Sequence, residues 1–82
     1  MLERHRFPID QIYLPTDKRK GLDAAKVEAL AEAIMEEGQK TPIRVRQGNG
    51  RYVLVEGAHR LEALKALGET EVIAWFVQAR PK

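Results

Sequence analysis

Apolar positions recur in two rhythms along the chain, and these rhythms outline its secondary structure. Between Asp23 and Gly38 they recur every three or four residues, which predicts an amphipathic helix. Asp23 is a suitable N-cap and Gly38 a suitable C-terminal stop. Leu22 and Val27 have the spacing of a hydrophobic staple. The apolar face of this helix comprises Val27, Leu30, Ala31 and Ile34.

A second helix is predicted to begin near Ala58 and to end at Gly68. Its apolar side is formed by Leu61, Leu64 and Leu67. It follows directly on the apolar run "YVLV", which is apolar on both faces and therefore predicts a more central strand.

The remaining apolar runs predict strands. "IRVRQ", the turn residues "GNG" and "RYVLV" together indicate a β-hairpin, with Ile43 and Val45 facing in and Arg44 and Arg46 facing out. "RFPIDQIYLP" suggests a short strand or extended segment whose Pro8 suits a sheet edge, and "TDKRKG" a loop. "EVIAWFV", residues 71–77, predicts the last strand.

The predicted order is strand, helix, strand, strand, helix, strand. It indicates a small α+β fold in which two main helices cover a mixed sheet. A length of 82 residues suits one small domain, residues 1–82.

Composition narrows the function classes. The chain has no cysteine, which excludes a thiolate nucleophile and a cysteine-containing zinc site. No apolar run approaches the length of a transmembrane helix, and the charged start "MLERHRFPID" lacks a signal-peptide core, so we expect a cytoplasmic protein without membrane contact. The net charge of +2 does not decide whether nucleic acid is bound. His5 and His59 offer no spaced metal motif.

The junction between "YVLV" and the second helix is the strongest candidate site. The first backbone N–H groups of a helix lack intrahelical acceptors and carry partial positive charge, which suits an anion. Gly57 permits a tight turn and close approach by a ligand. His59 and Arg60 add donors, although cations at this end of a helix oppose its dipole. A bound phosphate would remove that conflict.

A purely structural explanation of the same residues remains open. His59 and Arg60 can be solvated, or Arg60 can pair with Glu56 or Glu62. A single Gly-x-His-Arg sequence does not separate these alternatives.

The chain as a whole resembles the ParB/sulfiredoxin superfamily from about Phe7 to Gln78. The segments that carry the resemblance are "FPIDQIYLP", "LDAAKVEALAEAI", "TPIRVR", "YVLVEGAHRLEALKALG" and "TEVIAWFVQ". The Gly-x-His-Arg junction is similar to the sulfiredoxin form, whereas ParB proteins usually carry Gly-Glu-Arg-Arg there.

The resemblance implies nucleotide binding at this junction, with ATP or CTP phosphates on Gly57, Ala58, His59 and Arg60, probably the site of a Mg²⁺-bound nucleotide and of weak NTPase activity at most. Lys26 matches a sulfiredoxin lysine that helps to hold the nucleotide, or it is an ordinary solvated lysine. Ala29 and Ala33 stand where sulfiredoxins carry hydroxyl residues, so the adenosine contacts differ.

Two departures change what the resemblance implies. Ala58 occupies the position of the sulfiredoxin catalytic cysteine, so sulfinic acid repair is not expected. The sequence ends at Lys82, and no helix-turn-helix module of the ParB type is therefore expected in it.

A small-molecule kinase is one alternative. Glu56-Gly57-Ala58-His59-Arg60 resembles the Asp-Gly-x-His-Arg junction of free-serine kinases, in which the acid assists phosphoryl transfer. Glu56 would be catalytic, holding Mg²⁺ or orienting a hydroxyl, unless it is a salt-bridged or solvated strand end. Asp17 is a poor match for the second acid of those kinases.

A DNA-associated partition or nuclease-like accessory is the other alternative. Arg44 and Arg46 share a hairpin face that Arg51 could join across the turn, and such a patch could bind a nucleic acid backbone. Alternating arginines on an exposed strand are more often a solvated face that prevents edge pairing. Trp75 and Phe76 are expected to belong in part to the core. A homodimer or a protein partner is a further expectation.

Overall fold

The computed structural model describes residues 3–77, which form a mixed five-stranded sheet and three helices. The strands are β1 (Glu3–Pro8), β2 (Ile12–Tyr13), β3 (Ile43–Gln47), β4 (Tyr52–Glu56) and β5 (Glu71–Phe76). The helices are α1 (Thr16–Lys20), α2 (Ala24–Glu37) and α3 (Ala58–Ala66). The predicted α+β class is confirmed, and Gln78, where the resemblance ends, lies outside the described residues.

The sheet has the strand order β1-β5-β3-β4-β2. β1 and β5 run antiparallel, as do β3 and β4, whereas β3–β5 and β2–β4 are parallel. The predicted hairpin is confirmed, because the Gly48 N–H donates to the Arg51 carbonyl at 2.7 Å and closes the turn between β3 and β4. β4 has neighbours on both sides, as its two apolar faces predicted.

The first apolar segment differs from its prediction, because it forms two strands at opposite edges of the sheet. A 3-10 turn at Ile9–Gln11 separates β1 from β2. The Ile9 N–H donates to the Thr70 carbonyl at 2.9 Å, which fixes the crossing at the start of β5. Pro8 lies on an edge strand, as expected for a residue without an N–H.

The segment predicted as a loop contains α1, and that prediction was wrong. Pro15 precedes the helix with φ −57°, a value suited to helix entry. Asp17 lies in the first turn and the basic run Lys18, Arg19 and Lys20 in the last, so both ends complement the helix dipole.

The core lies between the sheet and α3. Leu61 and Ala63 of α3 are fully buried, together with Val45 and Ala74 of the central strands. α2 packs chiefly against α3, and its apolar face is half-buried. The two main helices therefore stack on one side of the sheet.

The opposite side of the sheet follows from the alternation of side chains along the strands. In β3, Ile43 and Val45 are buried whereas Arg44 and Arg46 are exposed, as predicted. No described helix has the length and apolar character needed to cross a membrane.

Candidate functional site

The predicted junction is a sharp turn from β4 into α3, and the structure gives Gly57 two reasons to be glycine. Its φ of 111° lies in the left-handed region that side chains disfavour. A Cβ at this position would lie 2.5 Å from Cγ2 of Ile43 on β3. The glycine therefore serves the packing of α3 on the sheet, in addition to any approach by a ligand.

The first turn of α3 presents backbone donors without protein acceptors. The first N–H that bonds within the helix is that of Leu61, which donates to the Gly57 carbonyl at 2.9 Å. The N–H groups of Ala58, His59 and Arg60 precede it, and no side chain caps the helix at Gly57. Three donors and the positive end of the dipole thus converge at one point.

A cavity of about 510 Å³ opens over this turn. That volume falls within the range of about 300–1,000 Å³ that is typical of small-molecule sites. α2 supplies one wall and the start of α3 the other, so the site lies where the two main helices diverge. The lining residues are Lys26, Ala29, Leu30, Gly57, Ala58, His59 and Arg60.

Arg60 does not make the ion pairs that the structural explanation requires. Glu56 pairs instead with Arg44 of β3, with 3.4 Å between Nε and Oε1. Glu62 pairs with Lys65, one turn along α3, at 3.1 Å. Among residues 3–77, Arg60 has no carboxylate partner. Its charge at the cavity is therefore uncompensated.

His59 joins the starts of the two main helices. Its Nε2 accepts a hydrogen bond of 3.0 Å from the backbone N–H of Asp23. An accepting Nε2 places the ring proton on Nδ1, as inferred from this hydrogen bond. The predicted donation from the His59 side chain to a phosphate thus falls to Nδ1, while Nε2 holds α2 beside α3.

Asp23 caps α2, as predicted. Its Oδ1 accepts from the Ala25 N–H at 2.9 Å, which satisfies one of the first donors of that helix. Lys26 follows one turn into α2, is exposed and lines the cavity. Asp23 and His59 together therefore fix the position of Lys26 relative to Arg60.

The two alanines that replace hydroxyl residues lie in different places. Ala29 contributes to the cavity wall beside Leu30. Ala33 lines a smaller adjoining cavity of about 100 Å³, which Arg60 also borders. The α2 wall of the main cavity is thus short and apolar beyond Lys26.

The acidic residues considered for catalysis lie outside the cavity lining. Glu56 ends β4 with 73% of its side chain exposed and is paired with Arg44, which is the salt-bridge alternative considered for it. Asp17 lies in the first turn of α1. Residues 3–77 contain no group of three or more His, Asp or Glu side chains placed to hold a metal ion.

The three arginines of the predicted nucleic acid patch do not form one cluster. Arg44 pairs with Glu56, and Nη1 of Arg46 donates to the carbonyl of Gln47 at 3.3 Å. The Arg51 guanidinium lies 3.7 Å from the ring centroid of Tyr13 on β2. Because β2 and β3 flank β4 on opposite sides, Arg51 does not extend the Arg44–Arg46 pair as predicted.

A wider groove of about 750 Å³ also runs between α2 and α3. Leu22, Val27 and Ala31 line it, and its lysine, Lys65, is already paired with Glu62. This groove offers no uncompensated cation. The smaller cavity at the start of α3 is therefore the better candidate for an anionic ligand.

Comparison with known proteins agrees with the fold and its junction. Residues 3–81 match the ParB N-terminal domain family. The chain is 41% identical over 69 residues to the probable chromosome-partitioning protein ParB of Campylobacter jejuni, which covers 83% of this chain and 25% of that protein. This chain thus spans about a quarter of the length of that relative.

Solved structures extend the similarity to the fold. Sulfiredoxin from Arabidopsis thaliana superposes with a TM-score of 0.84 and 27% identity, over 94% of this chain and 86% of that one. Truncated ParB from Caulobacter crescentus, solved with CTP-gamma-S, superposes with a TM-score of 0.77 and 25% identity, over 98% and 46%. The resemblance to the ParB/sulfiredoxin superfamily is confirmed, and the chain belongs to the ParB N-terminal domain family.

Proposed function

We propose that this chain binds a nucleoside triphosphate, ATP or CTP, with the phosphates seated at the start of α3. The observation that carries the proposal is the uncompensated charge of Arg60 at the mouth of a cavity into which an uncapped helix opens. The complex of Caulobacter crescentus ParB with CTP-gamma-S supports the same ligand class. We place this activity in the cytoplasm.

The roles of the residues follow from their donors. The N–H groups of Ala58, His59 and Arg60 meet phosphate oxygens, and Gly57 keeps the turn tight enough to present them. The Arg60 guanidinium binds two oxygens at once. Lys26 reaches the same phosphates from α2 as a point charge, and Mg²⁺ enters on the nucleotide itself.

Binding is the core of the proposal, and slow hydrolysis is secondary to it. Glu56 is exposed and held by Arg44, outside the cavity lining, so it offers little support for a kinase. Without cysteine the chain has no thiolate for sulfinic acid repair. The nucleotide therefore acts as a ligand, and its base is the property to be measured.

Calorimetric titration of the 82-residue chain with Mg²⁺ and ATP, ADP, CTP or GTP tests the proposal. We expect Arg60→Ala to weaken binding by roughly 10- to 100-fold, because charge-assisted hydrogen bonds contribute about 1.5–3 kcal/mol. Lys26→Ala should weaken it by a smaller factor. Arg46→Ala removes the same charge from the opposite side of the sheet and is the matched control.

Equal losses in Arg60→Ala and Arg46→Ala would mean that only net charge matters and that the site is assigned wrongly. The absence of binding to every nucleotide would reject the ligand class. The same samples test whether residues 1–82 form one domain, because one domain should unfold in a single cooperative transition.

A further inference from the structure

The sheet face opposite α3 carries a pattern of side chains that the proposed nucleotide site does not use. β5 alternates between Val72 and Ala74, which are buried in the core, and Ile73 and Trp75, which are half-buried on the other side. The ring contacts of the core join Phe7, Tyr52 and Phe76, and Trp75 is not among them. The expected core role therefore holds for Phe76 and not for Trp75.

Strand register places arginines on both sides of Trp75. Arg4 of β1 and Arg44 of β3 are its direct partners, and both are exposed. Residues directly opposite one another in a sheet share a face. With strands spaced about 4.8 Å apart, the two arginine Cα atoms lie about 10 Å from each other, and the tryptophan stands between them.

Two more arginines extend this surface. Arg6 of β1 lies opposite Ile73, and Arg46 follows Arg44 along β3 by two positions. We call the surface formed by Arg4, Arg6, Arg44, Arg46 and Trp75 the arginine–tryptophan face. Among the described helices, α3 covers the other side of the sheet and α2 packs on α3, so neither covers this face.

Protection against edge pairing does not explain these arginines on β3. β3 is the middle strand of the sheet, bonded to β5 on one side and β4 on the other. It has no free edge for a charge to protect. Two exposed arginines on a central strand therefore require another explanation.

The charge balance of the face favours a polyanion. Four arginines are accompanied by acids only at the margins, where Glu56 and Glu71 end and begin their strands. The pair between Glu56 and Arg44 is exposed on both sides and is therefore weak. A polyanion can displace it without leaving a buried charge.

We propose that the arginine–tryptophan face binds single-stranded nucleic acid, with a base stacked on Trp75 and phosphates on Arg4, Arg44 and Arg46. An open sheet with a central aromatic ring flanked by cations suits a strand whose bases are unpaired. Duplex DNA hides its base faces and would use only the arginines. This inference is independent of the nucleotide site, which lies on the helical side of the sheet.

Trp75 is the single tryptophan of the chain, so its fluorescence reports directly on this face. We expect oligothymidylate of about 12 nucleotides to quench Trp75 emission. The logarithm of the affinity should fall with the logarithm of the salt concentration with a slope of about −2, since each phosphate contact to a single strand contributes about −0.7. Labelled oligonucleotides give the same affinity by anisotropy.

Matched variants separate this face from net charge. Arg4→Gln and Arg44→Gln should each make the salt slope shallower by about 0.7. Lys18→Gln and Arg19→Gln change the charge equally on α1 and should preserve the slope. Trp75→Ala should weaken binding by roughly 5- to 100-fold, and Trp75→Phe, which keeps an aromatic ring, should recover part of the loss.

Four results would overturn the proposal. These are unquenched Trp75 emission, equal losses in the α1 variants, duplex DNA that binds as tightly as single strands, and a dimer of this chain that buries Trp75 and excludes the oligonucleotide. Arg60→Ala should keep full oligonucleotide affinity. That variant makes a failure of the nucleotide site distinguishable from a failure of this proposal.

Discussion

The two main helices begin in opposite ways, although their first turns lie side by side. α2 begins at Asp23, whose carboxylate accepts from the Ala25 N–H and closes the turn. α3 begins at Gly57, which has no side chain and a φ of 111°. One start satisfies its own donors, and the other leaves them directed into a cavity. The difference indicates which helix is built to meet a ligand.

His59 makes this difference structural as well as local. Its Nε2 accepts from the Asp23 N–H, so the capped start of α2 is tied to the uncapped start of α3. The tie sets Lys26 and Arg60 across one opening. The capped helix thus acts as a support for the open one.

Gly57→Ala should break the comparison with the largest loss of stability. The new Cβ would stand 2.5 Å from Cγ2 of Ile43, and the backbone would have to keep a φ that alanine disfavours. We expect the free energy of unfolding to fall by about 2–5 kcal/mol, from strain and overpacking together. Urea denaturation followed by circular dichroism measures it.

Gly68→Ala is the matched control for that change. Gly68 also has a positive φ, of 78°, but nothing lies within 4 Å of the Cβ that it would gain. Its loss should be only about 1–2 kcal/mol. Equal losses at the two glycines would show that contact with Ile43 does not constrain the junction.

Arg60→Glu should separate helix stability from ligand binding. A carboxylate in the first turn of α3 complements the helix dipole and should raise the free energy of unfolding by about 0.3–1 kcal/mol. The same carboxylate repels phosphate, so nucleotide affinity should fall by more than roughly 100-fold. Thermal unfolding and calorimetric titration give the two values. A variant that loses both stability and affinity would contradict this account.

His59→Ala should produce the smallest effect on stability. It removes the acceptor of the Asp23 N–H, but that group is exposed and water can replace the partner. We expect a loss of about 0.5–1 kcal/mol in the free energy of unfolding. His59→Gln offers a side-chain oxygen as acceptor and should recover part of it. Identical values for the two variants would mean that the tie contributes nothing.

The elements with local signals were predictable from the sequence. Asp23 and Gly38 bound α2, "GNG" closes the hairpin, and the alternation in β3 separates buried from exposed side chains. These features depend on neighbours in sequence, which is why the pattern alone suffices. The mixed sheet followed from the same signals with the family resemblance.

The features that depend on distant contacts were missed. Nothing local indicates that the segment around Pro8 divides between opposite edges of the sheet, because Thr70 fixes that crossing. α1 was missed because its polar residues and the closing Gly21 favoured a loop.

The candidate site was predictable in position and not in its supporting contacts. The spacing from Gly57 to Arg60 located the start of α3. The sequence could not show that Arg44 and Lys65 would occupy the two acids available to Arg60, nor that His59 would bond to Asp23, 36 residues away. Register alone reveals that Trp75 stands between Arg4 and Arg44.

The most direct test of the open start of α3 is the amide spectrum of the ¹⁵N-labelled chain during titration with the magnesium complexes of ATP and CTP. The account predicts that the N–H signals of Ala58, His59 and Arg60 shift together and saturate. The Ala25 signal, already bonded to Asp23, should move far less. Equal shifts at Ala25, or unmoved signals in the first turn of α3 while nucleotide binds elsewhere, would contradict the central claim.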